Sequence, residues 1–211
     1  DHCNFLPELA RRFAIERVLM APAADLSQSG RKVRSGLRKL NLDVRSVQEG
    51  ASLRADPLHA EVLHPDARFL QRPTVPDNDQ SLVIRAQIDG CTVLFTGDIE
   101  EMAIAQLLEE KPDMLQADVL VMPHHGHYAR GLAQFVDAVQ PRLAVVSGRD
   151  DDCDPRVARL LEDRRIDTWI TGLGGAIILR MEPGRLIASE WATGEQKAYD
   201  LGRHDERKER P

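Results

Sequence analysis

Long apolar runs are missing from this 211-residue chain: no stretch approaches the ~20 residues that cross a bilayer. Cysteine is scarce. Cys3, Cys91 and Cys153 form an odd set with no Cys-x-x-Cys pair, which excludes a disulfide framework and a zinc ribbon. Positive charge is in deficit, with 28 Lys and Arg against 34 Asp and Glu and a net charge of -6. That balance argues against a generic nucleic-acid binder, which is normally basic. It leaves a nuclease open, because bound metal ions add local charge that the count omits. No Gly-x-Ser-x-Gly elbow is present to support a serine hydrolase. Asp150, Asp152 and Asp154 have the spacing that opens a calcium loop, but Pro155 and Leu161 stand where that loop needs Gly and Glu. An initiator Met and a signal peptide are also missing, so the chain is expected to be a processed or truncated piece of something longer.

The remaining composition, 42% hydrophobic and 29% charged, is that of a soluble globular protein. Residues 1–201 read as one mixed α/β domain, and 202–211 as a charged, disordered tail. The organising stretch is 92–126. Two apolar runs end in Gly97-Asp98 and in His124-His125-Gly126, with a helical pattern over 99–110 between them. Strand, helix and strand in succession predict a βαβ crossover, whose carboxyl edge is where open α/β proteins keep their sites.

Helices are also expected over 5–13, 29–40, 132–139 and 156–164, the last with Asp154 as N-cap and Pro155 at its first position. Strands are expected over 16–21, 42–47, 60–63, 142–147 and 167–171. Those over 81–88 and 91–96 flank Asp89-Gly90, a strong hairpin signal. Gly172-Leu173-Gly174-Gly175 reads as a hairpin turn to a strand over 176–181, and 186–191 as the last strand. A loop rich in Pro, Asp and Asn runs from His64-Pro65 to Gln80, with His59 and His64 structural. The helix over 29–40 carries Arg31, Lys32, Arg34, Arg38 and Lys39 opposite its apolar face. Such a stripe suits a phosphate backbone, although solvated helix faces commonly look the same.

Asp98 alone would suit an N-cap for a helix beginning at Ile99. The three imidazoles of His124, His125 and His127 shift its meaning, because imidazole and carboxylate at neighbouring strand ends suit Zn²⁺, Mn²⁺ or Fe. A buried surplus of histidine without a metal would be costly to satisfy.

These motifs resemble the metallo-β-lactamase superfamily and, within it, the C-terminal domain of ComEC-type DNA internalisation (competence) proteins. The carrying residues are Asn78-Asp79-Gln80-Ser81, Leu94-Phe95-Thr96-Gly97-Asp98, Ala117-Asp118 through Pro123-His124-His125-Gly126, the run 139–147, and Gly174-Gly175-Ala176-Ile177. The resemblance implies an αββα four-layer sandwich, here lacking its N-terminal strands, and up to two Zn²⁺ or Mn²⁺ ions. Asp1-His2 would be the end of the family's His-x-(His/Asp)-x-Asp-His metal motif. Asp98 would bridge the ions as the catalytic carboxylate, and one of His124 and His125, preferably His125, would complete the second site. Asn78, Asp79 and His127 would face substrate, with Asn78 where many members place a histidine and His127 where relatives place Ser. The implied activity is metal-dependent hydrolysis of a DNA phosphodiester. The domain would be attached to a membrane channel on the extracytoplasmic side of the cell membrane, with this chain alone having little activity. The alternatives are a free-standing hydrolase of a small ester, lactone or nucleotide, and a truncated non-catalytic domain.

Overall fold

The computed structural model describes residues 5–25, 27–149 and 152–201. In chain order these form α1 (Leu6–Arg12), β1 (Arg17–Met20), α2 (Gln28–Arg38), β2 (Asp43–Ser46), β3 (Ser52–Ala55), β4 (Leu58–His64) and α3 (Ala67–Leu70). Then come β5 (Val83–Ile88), β6 (Cys91–Phe95), α4 (Glu101–Glu110), β7 (Val119–Val121), α5 (Leu132–Val139), β8 (Leu143–Val146) and α6 (Pro155–Asp163). The chain closes with β9 (Asp167–Ile170), α7 (Thr171–Gly174), β10 (Ile177–Glu182), β11 (Arg185–Glu190) and β12 (Gln196–Asp200). The mixed α/β class expected from sequence is the class observed.

A seven-stranded sheet in sequential order β3 to β9 is the frame. It is antiparallel from β3 to β6 and parallel from β6 to β9. The switch has a simple origin. Asp89 and Gly90, both at positive φ, turn β5 directly into β6, whereas α4, α5 and α6 are the crossovers of the parallel half.

The central parallel strands β7 and β8 are apolar throughout because both their faces are covered. Leu94, Leu120, Ala144 and Val146 pack under Ile104 and Leu107 of α4, Phe135 and Val139 of α5, and Leu161 of α6. Alternate residues Val93, Val119, Leu143 and Val145 meet Leu186, Ala188 and Tyr199 from the antiparallel sheet β10-β11-β12. Helices, large sheet and small sheet are thus three successive layers. A smaller core of Val18, Met20, Val33 and Leu37 joins α1 and α2 to the parallel pair β1-β2.

Several elements differ from expectation. Gly172-Leu173-Gly174-Gly175 is not a hairpin: it contains α7 and carries the chain from β9 in the large sheet to β10 in the small one. The strand over 186–191 is followed by β12, where only Tyr199 is buried. Edge strand β3 is exposed along its whole length. Neither gives an alternating burial signal, and both exist because a neighbour supplies a ladder. The loop after His64 holds α3, whose Phe69 is buried under a cap from Asp66.

Leu120 is fully buried at the centre of β7. Leu120→Ala is expected to cost about 2–5 kcal/mol, read as a lower urea midpoint at unchanged slope.

Candidate metal centre

β6 and β7 pair in parallel with Phe95 opposite Val121, so the residues after them leave the same edge of the sheet. The two exits are tied together. Thr96, fully buried, donates its hydroxyl to the Val121 carbonyl at 2.7 Å, and the His124 amide donates to the Gly97 carbonyl at 3.0 Å. Gly97 has φ +57°, and a Cβ there would lie 2.8 Å from the Ser81 Cβ, so the tight exit needs glycine. The Asp98 amide donates to the Ser81 hydroxyl at 3.2 Å.

Continued register would set His124 level with Asp98, but the backbone turns sharply. His124 (φ 45°) and His125 (φ 57°) both take left-handed conformations ahead of Gly126 (φ 81°). For residues with a Cβ this costs roughly 1–2 kcal/mol each, and such strain concentrates at functional sites. The turn brings His125 Nε2 to 3.8 Å from Asp98 Oδ1. The Nδ1 of His125 bonds the Ser147 carbonyl at the end of β8. A carbonyl only accepts, so Nδ1 carries a proton, and in the neutral ring Nε2 is then the ligand atom facing Asp98.

This pair fits a metal. Two ligand atoms each ~2.1 Å from a tetrahedral ion stand about 3.4 Å apart, close to the observed separation. The imidazole is held by a backbone carbonyl, the usual partner of a metal-binding histidine. Both side chains are partly open to solvent, and they line a cleft of about 280 Å³ with Leu82, Phe95, Val121 and Met122 as apolar wall. Among the described residues no cluster of three or more His, Cys, Asp or Glu side chains gathers as a complete site. Asp1 and His2, the expected remaining ligands, lie outside the described residues.

The other candidates form a second, adjoining group. His124 Nδ1 lies 2.8 Å from Glu100 Oε1, to which the Asn78 amide donates at 3.1 Å. His127 stacks on His124 with ring centres 4.7 Å apart. His125 therefore faces Asp98, whereas His124 and Asn78 meet at Glu100 and His127 stacks on His124. Sequence reasoning missed Glu100; its only signal was a second carboxylate two positions after Asp98.

Asp79 departs from its expected place on the substrate side. It is buried, and Oδ1 accepts from the amides of Glu100 at 2.8 Å and Ala103 at 3.0 Å, capping α4. The helix begins at Glu101, and its N-terminal amides are met by Asp79 and not by Asp98. His64 supports this cap from below, its Nε2 donating to the Asp79 carbonyl at 2.7 Å while its ring meets Phe69 edge-on. Cys91 is chemically idle, since burial, with Asp118 nearby, pushes its thiol up to about 12.

No family profile matches the chain. A search of curated proteins finds "ComE operon protein 3" of Bacillus subtilis (strain 168), 26% identical over 188 residues. It also finds "Competence protein ComA" of Neisseria gonorrhoeae, 33% identical over 92 residues. The chain is homologous to these competence proteins. The two matches cover 85% and 44% of the chain but only 23% and 13% of the relatives, so the chain spans less than a quarter of either. A structure from Parabacteroides distasonis ATCC 8503 named for a metal-dependent hydrolase is similar at TM-score 0.47 and 15% identity, over 75% of this chain and 76% of that one. A structure from Thermotoga maritima named for a Zn-dependent hydrolase of the metallo-β-lactamase superfamily gives 0.33 and 12%, over 62% and 56%. Among the described residues no helix is long and apolar enough to cross a membrane.

Asp79→Ala leaves the Glu100 and Ala103 amides without their acceptor. It is expected to cost about 1–2 kcal/mol in urea unfolding, with Asp79→Asn losing less. His64 gives a pH test. Burial holds its pKa below the ordinary 6.5, so below that pH the unfolded chain takes up a proton first. Stability is complete above the unfolded value and declines as pH falls through the folded one. Unfolding free energy is therefore expected to drop as pH falls below about 6.5, with a shallower slope in His64→Gln.

Proposed function

We propose that this chain is the hydrolase domain of a competence-type protein, a metal-dependent phosphodiesterase whose substrate is DNA. The observation that carries the proposal is the Asp98–His125 pair, with His125 oriented by Ser147. The homology to competence proteins supplies the context, and DNA as substrate follows from the family resemblance. Asp98 and His125 would hold a divalent ion, joined by Asp1 and His2. When bound, such an ion lowers the pKa of a water and polarises a phosphoryl oxygen.

The residues of the chain set the conditions for that chemistry. Ser147 fixes the tautomer and direction of His125, and Ser81 and Gly97 fix the backbone of Asp98. Leu82, Phe95, Val121 and Met122 make one side of the cleft apolar, which strengthens charge interactions beside it. Asn78, bonded to Glu100, and His127, stacked on His124, would be the substrate-side groups and would meet phosphate oxygens next to the ion. A membrane-channel partner within a longer chain, and an extracytoplasmic position, belong to the same proposal.

Calorimetric titration with Zn²⁺ and Mn²⁺ tests the ligand assignment in this chain directly. Asp98→Ala and His125→Ala are each expected to weaken binding by at least about tenfold, and His124→Ala much less. Cleavage of a single-stranded oligonucleotide in Mn²⁺ is expected to be weak in this chain and to disappear in Asp98→Ala. Equal metal affinity in all the variants, or metal-dependent cleavage that survives Asp98→Ala, overturns the assignment.

A further inference from the structure

We propose that the outer face of α2 is a docking surface for a nucleic-acid phosphate backbone. The choice of nucleic acid as the polyanion rests on the function proposed above; the surface itself rests on separate observations.

The first is a charge asymmetry. The chain is acidic overall, yet residues 5–47 hold nine Lys and Arg against four Asp and Glu, and no acidic residue lies between Asp25 and Asp43. These residues make up the α1–α2–β1–β2 unit with its own small core.

The second is how the unit sorts its charges. Val33 and Leu37 fix α2 to β1-β2, and Arg34 turns inward. Its Nε lies 2.6 Å from Asp25 Oδ1, and its Nη2 donates to the Ser46 hydroxyl at 2.8 Å. Arg31, Lys32, Arg38 and Lys39 face outward, all exposed, with Ser35 among them. The elements packed against α2 are α1, the turn Pro22–Asp25, β1 and β2. Their acids are already committed. Glu8 pairs with Arg11 and Arg12, Asp25 with Arg34, and Asp43 with Arg17 and Arg45. Among the described residues the carboxylates of the packing elements are each paired with another cation, and the outer face of α2 carries no acidic residue of its own.

The third is spacing. Arg31 and Arg38, like Lys32 and Lys39, are two helical turns apart, about 10.5 Å along the axis. The cations thus stand in two rows along one face, where a flexible single strand can run beside them. Shallow hollows of about 560 and 520 Å³ flank the helix and share Arg31, Ser35 and Lys39 as lining, which lets a backbone settle against the stripe.

The test is fluorescence anisotropy with a labelled single-stranded oligonucleotide over a salt series, comparing the whole chain with Lys32→Glu/Arg38→Glu/Lys39→Glu. All three residues are exposed, so an unchanged urea midpoint checks the fold. Affinity is expected to fall at least tenfold. The log–log salt dependence should become shallower by about 2, three contacts at ~0.7 each. The swap Lys32→Arg/Arg38→Lys/Lys39→Arg should retain binding. Unchanged affinity and slope in the charge-reversed variant overturns the proposal, as does binding of anionic phospholipid vesicles with none of the oligonucleotide. The two proposals fail separately: loss of the docking face leaves the Asp98-dependent metal titration intact, and loss of metal binding in Asp98→Ala leaves the anisotropy intact.

Discussion

Everything at the candidate centre depends on β6 and β7 being parallel neighbours. Parallel pairing forces two chain segments to finish at one edge, and the bond from Thr96 to the Val121 carbonyl fixes how far each continues beyond the ladder. The crossover helix α4 is the cost of that arrangement, since a parallel pair cannot be closed by a tight turn. It is also useful, because the amides at its start receive the Asp79 carboxylate and bind the segment before β5 to the segment after β6. The centre is therefore assembled from three strand ends and one buried cap. Its apolar surroundings come from the same alternation that builds the core.

Much of this was legible in the residues. The apolar runs ending in Gly97-Asp98 and His124-His125 gave the crossover and its edge, and Asp89-Gly90 gave the hairpin into β6. Asp154-Pro155 gave the start of α6, where the Asp154 side chain does accept from the Arg156 amide. What could not be read depends on partners distant in sequence. Asp79 caps a helix that begins 22 positions later, and nothing local distinguishes it from a loop aspartate. Strands β3 and β12 are almost all exposed, so they lack the alternation by which strands are recognised. Gly172 to Gly175 looked like a turn between paired strands because flanking composition does not reveal which sheet each strand joins. The distinction between His124 and His125 was likewise invisible, since it comes from two left-handed residues that rotate the chain after Pro123.

The charge distribution adds a second layer of organisation. An acidic chain that binds polyanions is a contradiction only if charge is spread evenly, and here it is not. The α1–α2–β1–β2 unit collects the cations, pairs three of its four acids internally, and leaves the outer face of one helix rich in cations. Catalytic metal chemistry and backbone attraction would then be supplied by different parts of the molecule. Each could be tuned without disturbing the other.

The left-handed turn at His124 and His125 has one further consequence. A strained conformation persists because the bonds around it outweigh its cost, and here those bonds run from the His124 amide to Gly97, from His125 to Ser147, and from the His127 amide to the His124 carbonyl. An occupant drawing on the Nε2 of His125 would add one more restraint to the same three residues. Occupancy and local rigidity then become a single equilibrium. The turn would be stiffer with the centre loaded than without.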